Sequence, residues 1–108
     1  MAQEVTIENF DEMIQGPLSP LTVVDFWAPW CGPCKMMEPI MAELEKEFAG
    51  QIKFVKFNVD HQQAIAERYK VMSVPSLVLF RDGVAKEKVT GIYPKDRLAH
   101  YFARKTAE

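Results

Sequence analysis

The stretch from residue 24 to residue 35 reads Val24-Asp25-Phe26-Trp27-Ala28-Pro29-Trp30-Cys31-Gly32-Pro33-Cys34-Lys35. It begins within a nearly continuous apolar run over residues 21–28, which is typical of a central strand covered on both faces. From Cys34 to Ala49, apolar side chains recur at helical spacing, at Met37, Ile40, Met41, Leu44 and Phe48. The stretch therefore predicts a strand that turns into a long helix, with two cysteines at the junction.

The segments on either side alternate between strand-like and helix-like patterns. Strands are predicted at residues 5–7, 21–28, 52–59, 76–80 and 84–90, and helices at residues 10–14, 34–49, 64–69 and from Pro94 onward. Asp82-Gly83 favours an antiparallel hairpin between the last two strands. The order β-α-β-α-β-α-β-β-α predicts one α/β domain over residues 1–108.

Local signals predict where the helices begin and end. Asn9 with Glu12, and Asp60 with Gln63, form capping-box patterns before the first and third helices. Gly16-Pro17 is expected to end the first helix, and Pro39 is expected to kink the long one, which Gly50 ends. Near the end of the last helix, Arg104 and Lys105 suit the negative end of its dipole.

Composition narrows the classes of function. The 108 residues are 48% apolar and 26% charged, which is typical of a globular domain. The formal net charge of -2 argues against nucleic-acid binding, and no apolar run is long enough to span a membrane. The first residues, Met1-Ala2-Gln3-Glu4, lack the basic and apolar regions of a secretory signal. We therefore expect a cytoplasmic monomer whose partners are proteins.

The chain contains two cysteines, Cys31 and Cys34. A reducing compartment disfavours a permanent structural bridge and favours a catalytic or metal-binding role. At the tip of the predicted helix, free amides should lower the pKa of Cys31 and make it the nucleophile. Cys34 follows one turn later, roughly 5–6 Å away at Cβ, and is expected to resolve the intermediate. Pro33 stiffens the loop, and Gly32 leaves the sulfur open to another polypeptide.

A Cys-x-x-Cys pair is also half of a zinc site, so metal binding is an alternative. A structural zinc site normally needs four ligands. The histidines, His61 and His100, lie in predicted helical segments without metal-ligand spacing. The sequence therefore favours redox chemistry with no bound metal or cofactor.

The sequence resembles the thioredoxin family along nearly its whole length. Residues 24–35 match the active-site run of that family almost letter for letter, and further matches follow at Pro39, Lys56, Val74-Pro75, Asp82-Gly83 and Gly91. The resemblance implies a five-stranded mixed sheet flanked by four helices, with a cis bond before Pro75. Small departures at Ser76, Thr90 and Ile92 bear on target preference.

Asp25 interrupts the apolar strand, where desolvation would raise its pKa and suit it to act as a general base. The alternative is a carboxylate at a strand end that meets solvent or a backbone donor. The resemblance places Asp25 behind Cys34 and turns Lys56 toward it, so that the lysine charge would tune the carboxylate. A lysine on an alternating strand is otherwise usually a solvated side chain.

The resemblance also implies an apolar platform for an extended substrate segment. It would consist of Trp30, Gly32, Pro33, Val74, Pro75, Gly91 and Ile92, with the backbone of Val74 free to pair with the substrate. Met36, Met37 and Met41 are interpreted instead as adaptable filling of the core.

The expected reaction is protein-disulfide reduction. Cys31 attacks a target disulfide, and Cys34, deprotonated by Asp25, releases the reduced target. The resemblance implies that thioredoxin reductase restores the dithiol with electrons from NADPH, and it suggests ribonucleotide reductase, peroxiredoxins and methionine sulfoxide reductases as targets. Two alternatives stay open. One is a disulfide-forming oxidase or isomerase, disfavoured because Gly32-Pro33 supplies no cation to overstabilise a thiolate; the other is a scaffold subunit without turnover.

Overall fold

The computed structural model of the protein describes residues 2–15, 21–60 and 62–108. In these ranges five strands and four helices follow one another in the predicted order. They are β1 (Gln3–Val5), α1 (Phe10–Met13), β2 (Leu21–Trp27), α2 (Gly32–Glu47), β3 (Lys53–Asn58), α3 (Gln63–Arg68), β4 (Ser76–Arg81), β5 (Val84–Thr90) and α4 (Lys95–Thr106). The predicted α/β class, with a mixed sheet and four helices, is confirmed.

The strands form one sheet in the order β1-β3-β2-β4-β5, which places β2 at the centre. β2 pairs in parallel with β3 and antiparallel with β4, and β4 and β5 form the predicted antiparallel hairpin. Asp82 and Gly83 both adopt positive φ at its turn, as the dipeptide predicted.

Successive residues of β2 point to opposite faces of the sheet, and each face has its own core. Val23 packs in a cluster with side chains of α2 and α4, among them Met37, Leu44 and Phe102. Val24 and Phe26 pack on the other face with Phe10 of α1 and Ile65 of α3. Both faces of the central strand are therefore covered, which explains its continuous apolar sequence.

The first helix begins directly after Asn9, as predicted, but neither capping box forms its side-chain bonds. Asn9 occupies the N-cap of α1, but its side chain makes no capping bond. Its Oδ1 instead accepts a hydrogen bond from the amide of Thr6 at 2.7 Å, which draws residues 6–9 into a turn and ends β1 at Val5. In α3 the N-cap is Gln62, not Asp60, and the Asp60 amide donates to Asn58 Oδ1 within the preceding turn. Short polar side chains have satisfied nearby backbone groups in place of the helix ends.

Cys31 is the N-cap of α2 and the helix begins at Gly32, which confirms the prediction that Cys31 lies at the tip of this helix, two residues before the apolar period begins at Cys34. Pro39 lies inside α2, and Gly50 adopts φ +84° beyond its end. Arg104 and Lys105 lie in the last turn of α4, as predicted. The expected helix end at residues 16–17 falls outside the described residues.

Phe10 is fully buried, and its ring lies 5.5–6.3 Å from those of Phe26, Phe57, Tyr69 and Phe80. Phe10→Ala is expected to lower the free energy of unfolding by roughly 3–5 kcal/mol, because it removes these contacts and leaves a cavity. Urea unfolding measures the loss. Ile7→Ala, at a side chain that is 44% exposed, is the matched control and should change stability by less than about 0.5 kcal/mol. Equal losses for the two variants would contradict the central role of Phe10.

Candidate functional site

Cys31 and Cys34 form a disulfide at the beginning of α2, with their Cα atoms 5.3 Å apart. Cys31 is the N-cap, and its Sγ accepts a hydrogen bond from the amide of Cys34 at 3.1 Å. The first turn contains Pro33, which has no amide hydrogen to leave unpaired. The sulfur of Cys31 therefore lies where helix amides stabilise negative charge.

A second loop brings Val74 and Pro75 against the disulfide. The peptide bond between them is cis, as the resemblance implied, and the Val74 carbonyl oxygen lies 3.7 Å from Cys31 Sγ. A disulfide sulfur has no proton to donate, so this is a contact between the two groups. Gly91 donates its amide to the Pro75 carbonyl at 2.9 Å with φ +97°. Residues far apart in sequence thus meet at one place.

The surface around the disulfide is partly apolar and open. The disulfide itself is buried, with Cys31 only 4% exposed, whereas Gly32 and Pro33 are exposed. Trp30 is 68% exposed and Ile92 is 42% exposed. A groove of about 350 Å³ runs from Trp30 along α3 to Val74.

The interpretation of the methionines is correct for two of three. Met37 and Met41 are buried in the core beneath α2, but Met36 is 63% exposed. The interpretation of Met36 as core filling is therefore wrong, because its position on α2 faces away from the sheet. Met72, near the Val74 loop, is 90% exposed and also lines the groove beside Trp30.

Two of the residues that depart from the family pattern contact each other beneath the Val74 loop. Ser76 and Thr90 are register partners in β4 and β5, and their hydroxyl oxygens are 3.4 Å apart. The buried Ser76 hydroxyl also donates to the Ser73 carbonyl at 2.8 Å. These side chains support the loop from below, whereas Ile92 lies at the surface.

Asp25 lies in β2 on the sheet face that α2 covers. Burial raises the pKa of its carboxyl from the ordinary value of 3.8 to about 6, and the positive charge of Lys56 opposes part of this rise. The nearby negative charges of Glu4 and Glu38 add to it. Asp25 therefore changes its charge close to neutral pH, as the sequence predicted from its apolar surroundings.

Lys56 lies directly beside Asp25 in the parallel register of β3 and β2. Its ammonium nitrogen is 4.4 Å from the centroid of the Trp27 indole ring, an arrangement that permits a cation-π interaction. The Lys56 side chain thus contacts the Trp27 ring, and its positive charge also lowers the pKa of Asp25.

A cavity of about 30 Å³ is shared by Asp25 and the second cysteine, Cys34. Asp25, Cys34 and Lys56 all line it, and Glu38 of α2 lines it as well. A space of this size accommodates one water molecule, and its walls carry polar groups to bind one. The carboxyl of Asp25 and the second cysteine therefore border one space that is large enough for a water molecule.

Glu4 and Glu38 were missed by sequence reasoning, because each looks like an ordinary solvated carboxylate in its own segment. Glu4 enters the site only because β1 pairs with β3, and Glu38 only because α2 packs over β2. The signal for Glu38 was available, since it is four residues after Cys34 and so lies on the same side of the helix.

Neither a metal cluster nor a membrane span is found in the part of the chain that the structure describes. No group of three or more His, Cys, Asp or Glu side chains in residues 2–15, 21–60 and 62–108 could hold a metal ion. His100 is exposed on α4, and His61 falls outside the described residues. Of the described helices, none is both long and apolar enough to cross a bilayer.

Comparison with known proteins gives one consistent result. The model of the thioredoxin family matches residues 1–104. A thioredoxin of Staphylococcus haemolyticus is 46% identical over 96 residues, covering 89% of each chain, and one of Staphylococcus aureus is 43% identical over the same shares. A chloroplastic M-type thioredoxin of Pisum sativum is 44% identical over 97 residues, which cover 90% of this chain and 56% of the relative.

The raised pKa of Asp25 predicts how stability depends on pH. The folded protein holds this proton more tightly than the unfolded chain, so the stabilisation is fully present below about pH 4 and is lost as pH rises through about 6. The total loss is roughly 3 kcal/mol, at about 1.4 kcal/mol per pH unit. Asp25→Asn cannot ionise, so its stability relative to the unsubstituted protein should increase by that amount across this range and then level off.

Urea unfolding of both oxidised proteins from pH 4 to 8 measures the difference. Glu12→Gln, at an exposed carboxylate of α1, is the control and should give a flat difference. A flat difference for Asp25→Asn would show that Asp25 is an ordinary solvated carboxylate.

Proposed function

The chain belongs to the thioredoxin family and is a thiol-disulfide oxidoreductase, and on this basis we propose that it reduces disulfide bonds in other proteins. The observation that carries the proposal is the position of Cys31 at the N-cap of α2, where its sulfur accepts the Cys34 amide. In the reduced protein the same amide and the helix dipole would stabilise a Cys31 thiolate. Cys31 is therefore assigned as the nucleophile.

The reaction balances as two exchanges. The Cys31 thiolate attacks one sulfur of the target disulfide, forming a mixed disulfide and releasing the other target sulfur as a thiolate. Cys34 then loses its proton and attacks Cys31 Sγ, which forms the Cys31–Cys34 disulfide and expels the second target sulfur. The target gains two electrons, and the protein leaves oxidised.

Asp25 is assigned as the base that accepts the Cys34 proton. The two residues line the same cavity of about 30 Å³, so a water molecule in it could carry the proton between them. A carboxyl whose pKa is raised to about 6 is also a stronger base than an ordinary aspartate. Lys56 is assigned a tuning role, because its charge favours the ionised carboxylate.

The substrate surface is assigned to the residues around the disulfide. Exposed Trp30 and Ile92 offer apolar contact, and Gly32 leaves the approach to the sulfur free of a side chain. Val74 could pair through its backbone with an extended target segment, in the manner of an added strand. Pro33, Pro75 and Gly91 shape this platform.

The direction of the reaction is assigned from the residues between the cysteines. Gly32 and Pro33 supply no cation that would overstabilise the thiolate and make the protein an oxidant. A reductase role requires a supply of electrons, which we assign to thioredoxin reductase and NADPH, in a single-domain monomer acting in the cytoplasm. Ribonucleotide reductase, peroxiredoxins and methionine sulfoxide reductases are candidate targets.

Cys34→Ser is expected to trap covalent adducts with target proteins, because Cys31 still attacks while the resolving thiol is missing. Non-reducing electrophoresis with mass spectrometry detects the adducts, which should disappear on adding dithiothreitol. Cys31→Ser is the matched control and should trap none. Adducts formed through Cys34 in the control, and none in Cys34→Ser, would reverse the two assignments.

Reduction of insulin, coupled to a thioredoxin reductase and NADPH, tests direction and electron supply together. The unsubstituted protein should consume NADPH and precipitate the insulin B chain, and the variant with both cysteines replaced by serine should fall to the background rate. A protein that oxidises reduced RNase faster than it reduces insulin would be an oxidase. If the double variant retained full activity of a partner enzyme, the protein would be a scaffold.

A further inference from the structure

Three charged side chains form a row across the parallel half of the sheet. Glu4 of β1 is the register partner of Lys56 in β3, and Lys56 is the register partner of Asp25 in β2. In-register neighbours on parallel strands point to the same face, so the lysine stands between two carboxylates. Its position relative to each carboxylate decides how strongly its charge acts on Asp25.

Trp27 lies in β2 two residues after Asp25, so its side chain is on the same face of the sheet as this row. Its indole Nε1 donates a hydrogen bond to Glu4 Oε1 at 3.1 Å, and the Lys56 ammonium lies 4.4 Å from the ring centroid. The ring is partly buried, which strengthens a cation-π contact relative to a fully exposed one. Glu4, Trp27 and Lys56 therefore form one connected group next to the carboxyl of Asp25.

We propose that Glu4 is a positioning residue for the exchange reaction: by fixing the Trp27 indole and attracting Lys56, it restrains the lysine ammonium from closing onto Asp25. This inference rests on the proposed role of Asp25 as the base. A base paired tightly with a cation holds a proton weakly, so Glu4 preserves the ability of Asp25 to accept one from Cys34.

The other charges that face Asp25 come from α2. Glu38 and Lys35 line the small cavity, and Glu38 and Glu45 line a second cavity of about 140 Å³ that Asp25 and Lys56 also border. Burial remains the largest influence on Asp25, and the negative charges of Glu4 and Glu38 support it against Lys56. Glu4 differs from the α2 residues because its carboxylate accepts the indole hydrogen bond of Trp27, whose ring contacts Lys56, so it can act through the lysine as well as by direct repulsion.

The test is a double-mutant cycle read by the titration of the Asp25 carboxyl in carbon-13 NMR of the oxidised protein. Glu4→Gln should lower the pKa of Asp25 by roughly half to one pH unit, since a cation within 4–6 Å favours the carboxylate and solvent screens part of the effect. In a Lys56→Met background the same substitution should have less than half of that effect. Equal effects in both backgrounds would show direct repulsion alone and overturn the proposal.

Two further variants sharpen the result. Trp27→Phe keeps an aromatic ring but removes the hydrogen-bond donor to Glu4. It should therefore lower the pKa of Asp25, as Glu4→Gln does, and an unchanged pKa would count against the indole as the link.

Glu8→Gln replaces an exposed carboxylate in the turn after β1 and should leave the titration of Asp25 unchanged. An equal shift in Glu8→Gln would mean that any negative charge near the N-terminus suffices, which would overturn the specific role of Glu4.

The rate of target release from the mixed disulfide gives the functional outcome. In Glu4→Gln the pH at which release is half-maximal should move down together with the titration of Asp25. If Asp25→Asn released targets at the normal rate, the base role would fail, while the NMR cycle would still decide whether Glu4 controls Lys56. Failure of the two ideas is therefore distinguishable.

Discussion

The burial of β2 between two neighbouring strands and two helical layers is the constraint on which the rest of the structure depends. A strand covered on both faces has a definite register and a definite end, so the chain leaves it at Trp27 in a fixed direction. The following turn places Cys31 at the N-cap of α2. The burial that stabilises the fold thus also places Cys31 at the N-terminal end of α2, where the helix dipole stabilises a thiolate.

Burial of β2 has a second consequence at Asp25, two residues before the strand ends at Trp27. Asp25 lies in the same strand and cannot avoid the apolar layer, so its pKa is raised to about 6 against the opposing charge of Lys56. Because the buried carboxyl ionises less readily than it does in the unfolded chain, it lowers the free energy of unfolding near neutral pH. This cost is consistent with the proposed role of Asp25 as the base, because a well-solvated carboxylate would be a weaker base.

Local sequence signals succeeded where one interaction dominates and failed where several compete. Asp82-Gly83 formed the predicted hairpin because the tight turn needs positive φ at two adjacent positions. Few other residue pairs adopt that conformation readily, so the dipeptide is a specific signal. The capping box at Asn9 failed because its side-chain oxygen accepts the Thr6 amide instead of an amide of the helix. The interpretation of Met36 as core filling failed because it rested on residue type alone, whereas the helical stripe through Met37, Ile40 and Met41 does not include it.

The sequence by itself determined the order of elements, the α/β class, the central position of β2 and the cysteine pair at a helix start, because these depend on periodicity and on neighbours along the chain. Family resemblance, carried by residues 24–35, added the cis bond before Pro75 and the expected partners of Asp25. Only the tertiary structure decided that Glu4, Lys56 and Asp25 form a row and that Trp27 links two of them. Strand register pairs segments about twenty to fifty residues apart, and it is fixed by packing on both faces of the sheet. The sequence of one segment therefore cannot predict which residues of another strand lie beside it.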